Sequence, residues 1–381
     1  MPPAPIDDPA FNQLQTLVAR LITQARREHP LGVTAYTPAA FGDAYPALYL
    51  RDFTYMAESA PELMPLEHVR DVIGLITGHF SPAGLCPERI SNEGEVIYTC
   101  HGDQPVTDSP LFLIKLCSAY VRHGGDLEFI AERFSALERT MSTVPIEADT
   151  GLVWINPDHP HTAYGFTDTI AITGHHLFCS LLRLEAAENL AQLATQLGRT
   201  AAHWSAAAGQ IRAHLPLLWS PDHELFLAGS QDCRQADIWG SAYTCAIGAV
   251  DEMQRATIAR SLMRQRDRFL HRGQVRHLLY PECWQKLIIA NEWTAPGRFQ
   301  NGAHWGTATG WIAEVFEMAQ PGSGVELLQT LVADFTAHGV WECVGPGGYA
   351  RVGGNLSSAC LPYASWKKLR ARQSAPAQAT A

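Results

Sequence analysis

Gly102-Asp103-Gln104-Pro105-Val106-Thr107-Asp108-Ser109-Pro110, followed by LFLIKLCSAYVRHGGD at 111–126, decides how the chain is read. A polar, turn-rich segment gives way abruptly to an apolar helix, with a carboxylate at the junction. Thr107, Asp108 and Ser109 each suit an N-cap, and Pro110 suits the first turn, where its missing N–H costs nothing. With Ser109 as the cap, Asp108 would stand free at the mouth of the helix. One such junction is an ordinary helix start, but the same junction recurs along the chain.

Helical periodicity predicts twelve helices, at 11–29, 52–62, 66–79, 108–123, 126–143, 168–183, 185–214, 237–249, 252–264, 302–319, 323–338 and 355–369. Strand-like pieces such as GLVWI and ELFLAG are short. The unusual residues collect before the even-numbered helices, in LYLRDF, PVTDSP, AYGFTD, QADIWGS, RFQNGAHWG and YARVGGNLSS. The anchors Asp52, Asp108, Asp168, Asp237, Gly302 and Asn355 are 56, 60, 69, 65 and 53 residues apart. Two helices per unit at this spacing describe repeated helical hairpins. Six of them closed into a ring make an all-α fold, an (α/α)6 barrel (six-hairpin toroid) with short β pieces in its loops. The inner helices then all start at one end, and their polar loops converge on one pocket. EFIAERFSALERTM and ENLAQLATQLGRTAAHWSAAAGQI read as outer, covering helices. An open α-solenoid is the alternative, but it gives no reason for Trp, His and carboxylates to gather in alternate loops.

Composition agrees with one large core. Of 381 residues, 46% are hydrophobic and 17% charged, and the net charge is −10. With no Lys/Arg cluster, neither a nucleic-acid nor an anionic-membrane partner is expected. The N-terminal MPPAPIDDPAF has no signal-peptide pattern, no apolar run reaches membrane-spanning length, and nine cysteines without a CxxC pair read as reduced thiols. These features predict a cytoplasmic protein with a single catalytic domain over 1–370 and a disordered tail over 371–381. They leave oligomerisation open.

A pocket holding Trp154, Trp239, Trp284, Trp293, Trp305 and Trp341 among Asp, Glu, Asn, Gln and His suits a sugar. Aromatic faces stack on a pyranose while fixed polar groups read its hydroxyls. About half of these tryptophans are expected in the core, with Trp154, Trp239 and Trp305 the leading ligand contacts. Glycoside hydrolysis usually needs two carboxyl groups. Those in the loops are Asp52, Glu88, Asp103, Asp108, Asp168, Asp237, Glu282, Glu292 and Glu342. Arg51–Asp52 reads as a hydroxyl-binding pair, whereas Asp168 and Asp237 also fit N-cap positions. Glu342 sits in the glycine-rich HGVWECVGPGGY, with no helix to cap.

PVTDSPLFLIKLCSAYVRHGGD, LYLRDF, FQNGAHWGTATGW and VWECVGPGGYARVGGNLSSACLPYASW resemble, in order and approximate spacing, segments of the neutral and alkaline invertases. AYGFTDTIAITGHH looks more like other bacterial six-hairpin glycosidases. The resemblance spans about residues 46–369 and implies the six-hairpin fold and an inverting mechanism. By it, Asp108 is the general acid, Glu342 the base, and Arg51-Asp52 helps to hold the sugar. A helix N-terminus stabilises a carboxylate, so burial or the charge of Asp103 must override the dipole if Asp108 is to be an acid. Otherwise Asp168 takes that role.

The expected substrate contacts are Arg51, Asp52, Glu88, Arg89, His101, Asp103, Trp154, Asp168, Trp239, Gln300, Asn301, His304 and Trp305. No cofactor and no metal are expected, because His159/His161 and His175/His176 are placed for packing or sugar contact rather than ligation. Two other functions fit the same barrel: a sugar epimerase or isomerase using His101, His175 or His304, and a non-catalytic carbohydrate-binding protein.

Overall fold

The computed structural model describes residues 8–374. Six inner helices form a closed ring: α2 (Leu50–Ser59), α4 (Ser109–Arg122), α7 (Leu177–Gln196), α9 (Ile238–Ala246), α11 (Thr309–Ala319) and α13 (Leu356–Ser374). Each packs on the next, and α13 returns to α2. This is the (α/α)6 barrel. Around it lie α1 (Pro9–Ala25), α3 (Leu66–Gly78), the pair α5 (Leu127–Ala131) and α6 (Phe134–Met141), α8 (Ala202–His214), α10 (Glu252–Gln265) and α12 (Ser323–His338).

Side-chain pattern assigns the layers. In α4 every residue from Ser109 to Tyr120 is buried, so the helix has no face for water and must lie inside. In α1 the buried residues are Phe11, Leu14, Val18, Leu21, Ile22 and Ala25, one stripe of a covering helix. Lys115, buried in α4, is neutralised by Glu58 and Glu185 and donates to the Tyr243 hydroxyl at 3.0 Å.

Several predicted boundaries move. The segment 126–143 splits into α5 and α6. The residues ENLAQLATQ, expected in an outer helix, finish inner helix α7. That helix stops at Gly198 (φ +66°), where Arg199 N–H bonds back to the Ala194 carbonyl, the left-handed glycine ending typical of helices. The inner helix expected from 168 starts at Leu177, and the one expected from 302 starts at Thr309. In both places the chain first runs extended. Gly174–His175 pairs with Trp154–Ile155, and His304 and Trp305 pair with Val344 and Val275. At the C-terminus, α13 continues through Ser374, four residues into the expected tail; positions 375–381 lie outside the described residues.

The loops are stitched by short antiparallel ribbons. Ala47–Tyr49 pairs with Arg89–Ser91, which sets Glu88 beside the start of α2. Trp341–Gly345 pairs with Tyr349–Gly353, so the expected glycine-rich loop is a β-hairpin carrying Glu342 on a strand. Among the described residues no helix is long and apolar enough to cross a membrane.

Candidate active site

At the end of the barrel where the inner helices begin, a cavity of about 250 Å³ is lined by five of the six loops. Its floor is a charge network laid down by the first turn of α2. Arg51 donates to Asp108 Oδ2 at 3.2 Å and to Glu88 Oε1 at 3.3 Å, and Arg89 pairs with the other Glu88 oxygen. Asp52 accepts from Ser357 Oγ at 2.9 Å, joining the first inner helix to the last. Burial raises the Glu88 carboxyl to about 7 against the pull of both guanidiniums, and raises Asp52 against the pull of Arg51.

Asp108 does not face this cavity. It occupies the N-cap position of α4, yet its side chain makes no cap bond. Oδ2 instead accepts from Arg51 and from Gly165 N–H at 3.0 Å, while Oδ1 is buried without a partner. The carboxyl is fully buried behind Arg51, which stands between it and the cavity. Burial raises its pKa and Arg51 opposes the rise.

Asp168 does face the cavity. It closes a short 3-10 turn, Gly165–Thr167, and starts no helix, so the capping explanation for it lapses. Its Oδ1 accepts from Gln300 Nε2 at 2.8 Å and its Oδ2 from the Cys100 thiol at 3.7 Å. Gln300 is itself aimed by Thr169, whose N–H and hydroxyl both donate to Gln300 Oε1. Desolvation raises the Asp168 pKa; His101 and Arg51 pull it down less strongly.

Glu342 lines the same cavity on different partners. Arg351 Nε donates to Oε2 at 3.0 Å, and the Tyr45 hydroxyl donates to Oε1. Tyr45 stays protonated because burial lifts its pKa well above the usual value. Burial raises Glu342 to about 7, against Tyr45 and Arg351, with the nearby Asp168 charge adding to the rise. Besides Asp52 and Glu88 in the floor, two further carboxyl groups thus line the cavity in opposite company. Glu342 has a cation and a hydroxyl, whereas Asp168 has an amide and a thiol.

The other expected contacts divide. Arg51, Asp52, Glu88, Arg89, His101, Gln300 and Trp305 line the cavity. Asn301 is spent on structure, accepting from Trp284 N–H and donating to the Thr294 carbonyl. Trp239 is fully buried and stacked on His277 at 3.8 Å, part of the core and outside the cavity wall. His304 lies outside the wall too: its backbone pairs with Val344, and burial lowers its ring pKa to about 3. Asp103 is exposed and bonded only to its neighbour Gln104. Trp154 lines a separate cavity of about 360 Å³ beside Gln104 and His161.

Three of the histidines considered for ligation or proton transfer are occupied elsewhere. His175 pairs with Glu147 at 2.7 Å, His176 accepts from Cys179 N–H at the start of α7, and His161 bonds Thr107. Of the three histidines an epimerase would use, His101 alone reaches the cavity. Among the described residues, one group of donors could hold a metal: Cys100, His101 and Asp168.

Tyr45, Tyr49, Cys100, Phe166, Phe299 and Arg351 line the cavity without having been singled out in the sequence. Arg351 stood in the quoted YARVGGNLSS, where an arginine two residues from a glycine pair was a usable signal. Tyr45 lies in FGDAYPALY, which has no periodicity and gave none.

No family model matches the chain and no curated protein matches it in sequence. Solved structures do. The mannosylglycerate hydrolase of family GH63 from Thermus thermophilus, solved with glucose, superposes with a TM-score of 0.67 at 15% identity, covering 93% of this chain and 99% of that one. A rhamnosidase from Klebsiella oxytoca with rhamnose bound gives 0.67 at 15% identity over 95% of this chain and 64% of that one. A GH78 rhamnosidase from a Bacillus species gives 0.67 at 15% identity over 94% of this chain and 34% of that one. The shared feature is the six-hairpin barrel.

Proposed function

We propose that this protein is an inverting glycoside hydrolase acting on a small glycoside, with Asp168 as general acid and Glu342 as general base. One observation carries the reading: of the carboxyl groups that line the cavity, Asp52 and Glu88 belong to the network around Arg51, and of the other two, Asp168 and Glu342, only Glu342 is paired with a cation. Arg351 and Tyr45 favour ionised Glu342, which can take a proton from water. Asp168 has no guanidinium within ion-pair distance and is desolvated, and both favour the protonated acid. Protonated Asp168 donates to the leaving oxygen as the bond to the anomeric carbon breaks. Water, deprotonated by Glu342, attacks the opposite face. Asp108, the acid that the invertase resemblance implies, lies behind Arg51 and is assigned to holding that guanidinium in place.

The cavity of about 250 Å³ is smaller than those that take drug-sized ligands, which suits one sugar ring with a compact aglycone rather than a polysaccharide. Trp305 and Phe166 supply apolar faces, and Arg51, Asp52, Arg89 and Gln300 supply polar contacts for hydroxyls. Neighbours solved with glucose, with D-glycerate and with rhamnose support a sugar-sized substrate of this kind. The test is incubation with a panel of disaccharides and small glycosides, including glycosides of small hydroxy acids, with release of reducing sugar as the readout. Release that disappears in Asp168→Asn and Glu342→Gln supports the proposal. Absence of hydrolysis across the panel counts against it.

A further inference from the structure

The wall of the cavity holds a set of donors that acid–base hydrolysis does not need. The Cys100 sulfur, a His101 ring nitrogen and an Asp168 carboxylate oxygen all lie within 4.8 Å of one another. They are held by the backbone and by neighbours. His101 N–H donates to Thr162 Oγ1 at 3.0 Å, Thr162 N–H donates back to the His101 carbonyl at 2.9 Å, and Thr162 Oγ1 also reaches the Asp168 carbonyl at 3.3 Å. One threonine therefore ties the two segments bearing the three donors. Gln300 fixes the second Asp168 oxygen. All three residues line the cavity.

We propose that Cys100, His101 and Asp168 form a binding site for a thiophilic divalent cation of the zinc type, and that its occupancy switches hydrolysis off. Thiolate, imidazole and carboxylate together select zinc, cobalt or copper over magnesium or calcium. Three protein ligands and an open position is a common zinc arrangement. Tetrahedral zinc with bonds of about 2.0–2.3 Å puts its donors roughly 3.6 Å apart, so the set needs only side-chain rotation to close. Binding converts the Cys100 S–H to thiolate, and the proton leaves to solvent, so affinity rises with pH. The cation takes one oxygen of ionised Asp168 while Gln300 holds the other, so the carboxyl carries no proton to donate. That inhibitory consequence rests on Asp168 as the general acid; the site itself does not.

Seven of the nine cysteines are buried, and Cys100 and Cys283 alone are partly exposed, which makes the test clean. Chelator-treated protein is titrated with Co²⁺, and the near-ultraviolet thiolate-to-cobalt charge-transfer band and the visible d–d bands are followed. The bands are expected in the wild type and in Cys283→Ser, lost in Cys100→Ser, and weakened at least tenfold in affinity in His101→Ala. No band at millimolar Co²⁺, or a band that survives Cys100→Ser, overturns the site. Activity is then measured against Zn²⁺. Inhibition reversed by EDTA, with at least tenfold more zinc needed in Cys100→Ser relative to its own metal-free rate, supports the switch. Cobalt bands without zinc inhibition leave the site standing and overturn the switch and the acid role of Asp168.

Discussion

The Arg51 guanidinium lies flat against the backbone of Gly165, so close that a Cβ on Gly165 would stand 1.7 Å from Arg51 Cζ. The same glycine gives its N–H to Asp108, so one contact sets both the arginine and its counter-ion. Gly165→Ala is expected to drive the guanidinium from between Asp108 and Glu88, leaving buried Asp108 without its cation while Glu88 keeps Arg89. Breaking a buried ion pair costs about 3–5 kcal/mol. Urea unfolding should show a loss of that order, with kcat/KM falling in parallel. An alanine variant of wild-type stability would refute the crowding argument.

The division of labour between the carboxylates predicts different responses to the leaving group. Asp168→Asn should cripple natural glycosides and spare substrates with an activated leaving group, such as a glycosyl fluoride. Glu342→Gln should cripple both. Asp108→Asn, acting through Arg51, should lower both by a similar factor. Proton NMR of the first product should show inverted anomeric configuration, and a crystal structure should place the Asp168 and Glu342 carboxyl groups roughly 6.5–9.5 Å apart. A retained anomer refutes the mechanism.

Arg351 is the only cation bonded to Glu342 in the described residues, and it opposes the burial that raises this carboxyl to about 7. Since the base must be ionised, the acidic limb of kcat/KM should lie near that pH. Arg351→Met removes the cation, so the neutral form gains and the limb should move up by about one to two pH units. Rate loss should accordingly be larger at about pH 6 than at about pH 8. A parallel loss at every pH would make Arg351 a substrate contact instead.

Asp237 supplies a test in stability alone. It is buried at the start of α9, outside the cavity wall, with Oδ1 lacking a partner, and desolvation raises it to about 7. An unfolded aspartate titrates near about 3.9. The folded state therefore binds the proton more tightly. Its contribution to stability is complete below about pH 4 and is lost as pH rises towards 7. Asp237→Asn escapes that loss, so the variant should gain on the wild type between roughly pH 5 and pH 8 by about 2–4 kcal/mol. Melting temperatures across that range decide it.

The ring was legible because it is written in local signals: polar caps before apolar helices, repeated at a near-regular spacing. What was hidden is non-local. Thr167, Thr169, Ile170, Ile172 and Thr173 form a β-branched run that holds the chain extended. The segment reads as helix only until its partners at Leu287 and Lys286 are known. His304 likewise lies in an apparent helix start until Val344, forty residues on, pairs with it. Trp239 and Trp305 looked equivalent, yet side-chain direction sends one into the core and the other to the cavity. Asp108 drew attention for its place before a helix, which says where a backbone turns and nothing of which side chain Arg51 will claim.

Closure of α13 onto α2 has a consequence for synthesis. Asp52 meets Ser357 across 305 residues, and Tyr45 meets Glu342 across 297. Emerging from the ribosome, the chain builds its hairpins in order, but each waits with an open apolar flank until the last helix arrives. Such long-separation contacts make the final step slow and leave the unfinished arc prone to aggregation. A nascent chain that stops before the Trp341–Gly353 hairpin has most of the cavity wall but neither Glu342 nor Arg351, and the seam that locks Asp52 is translated later still.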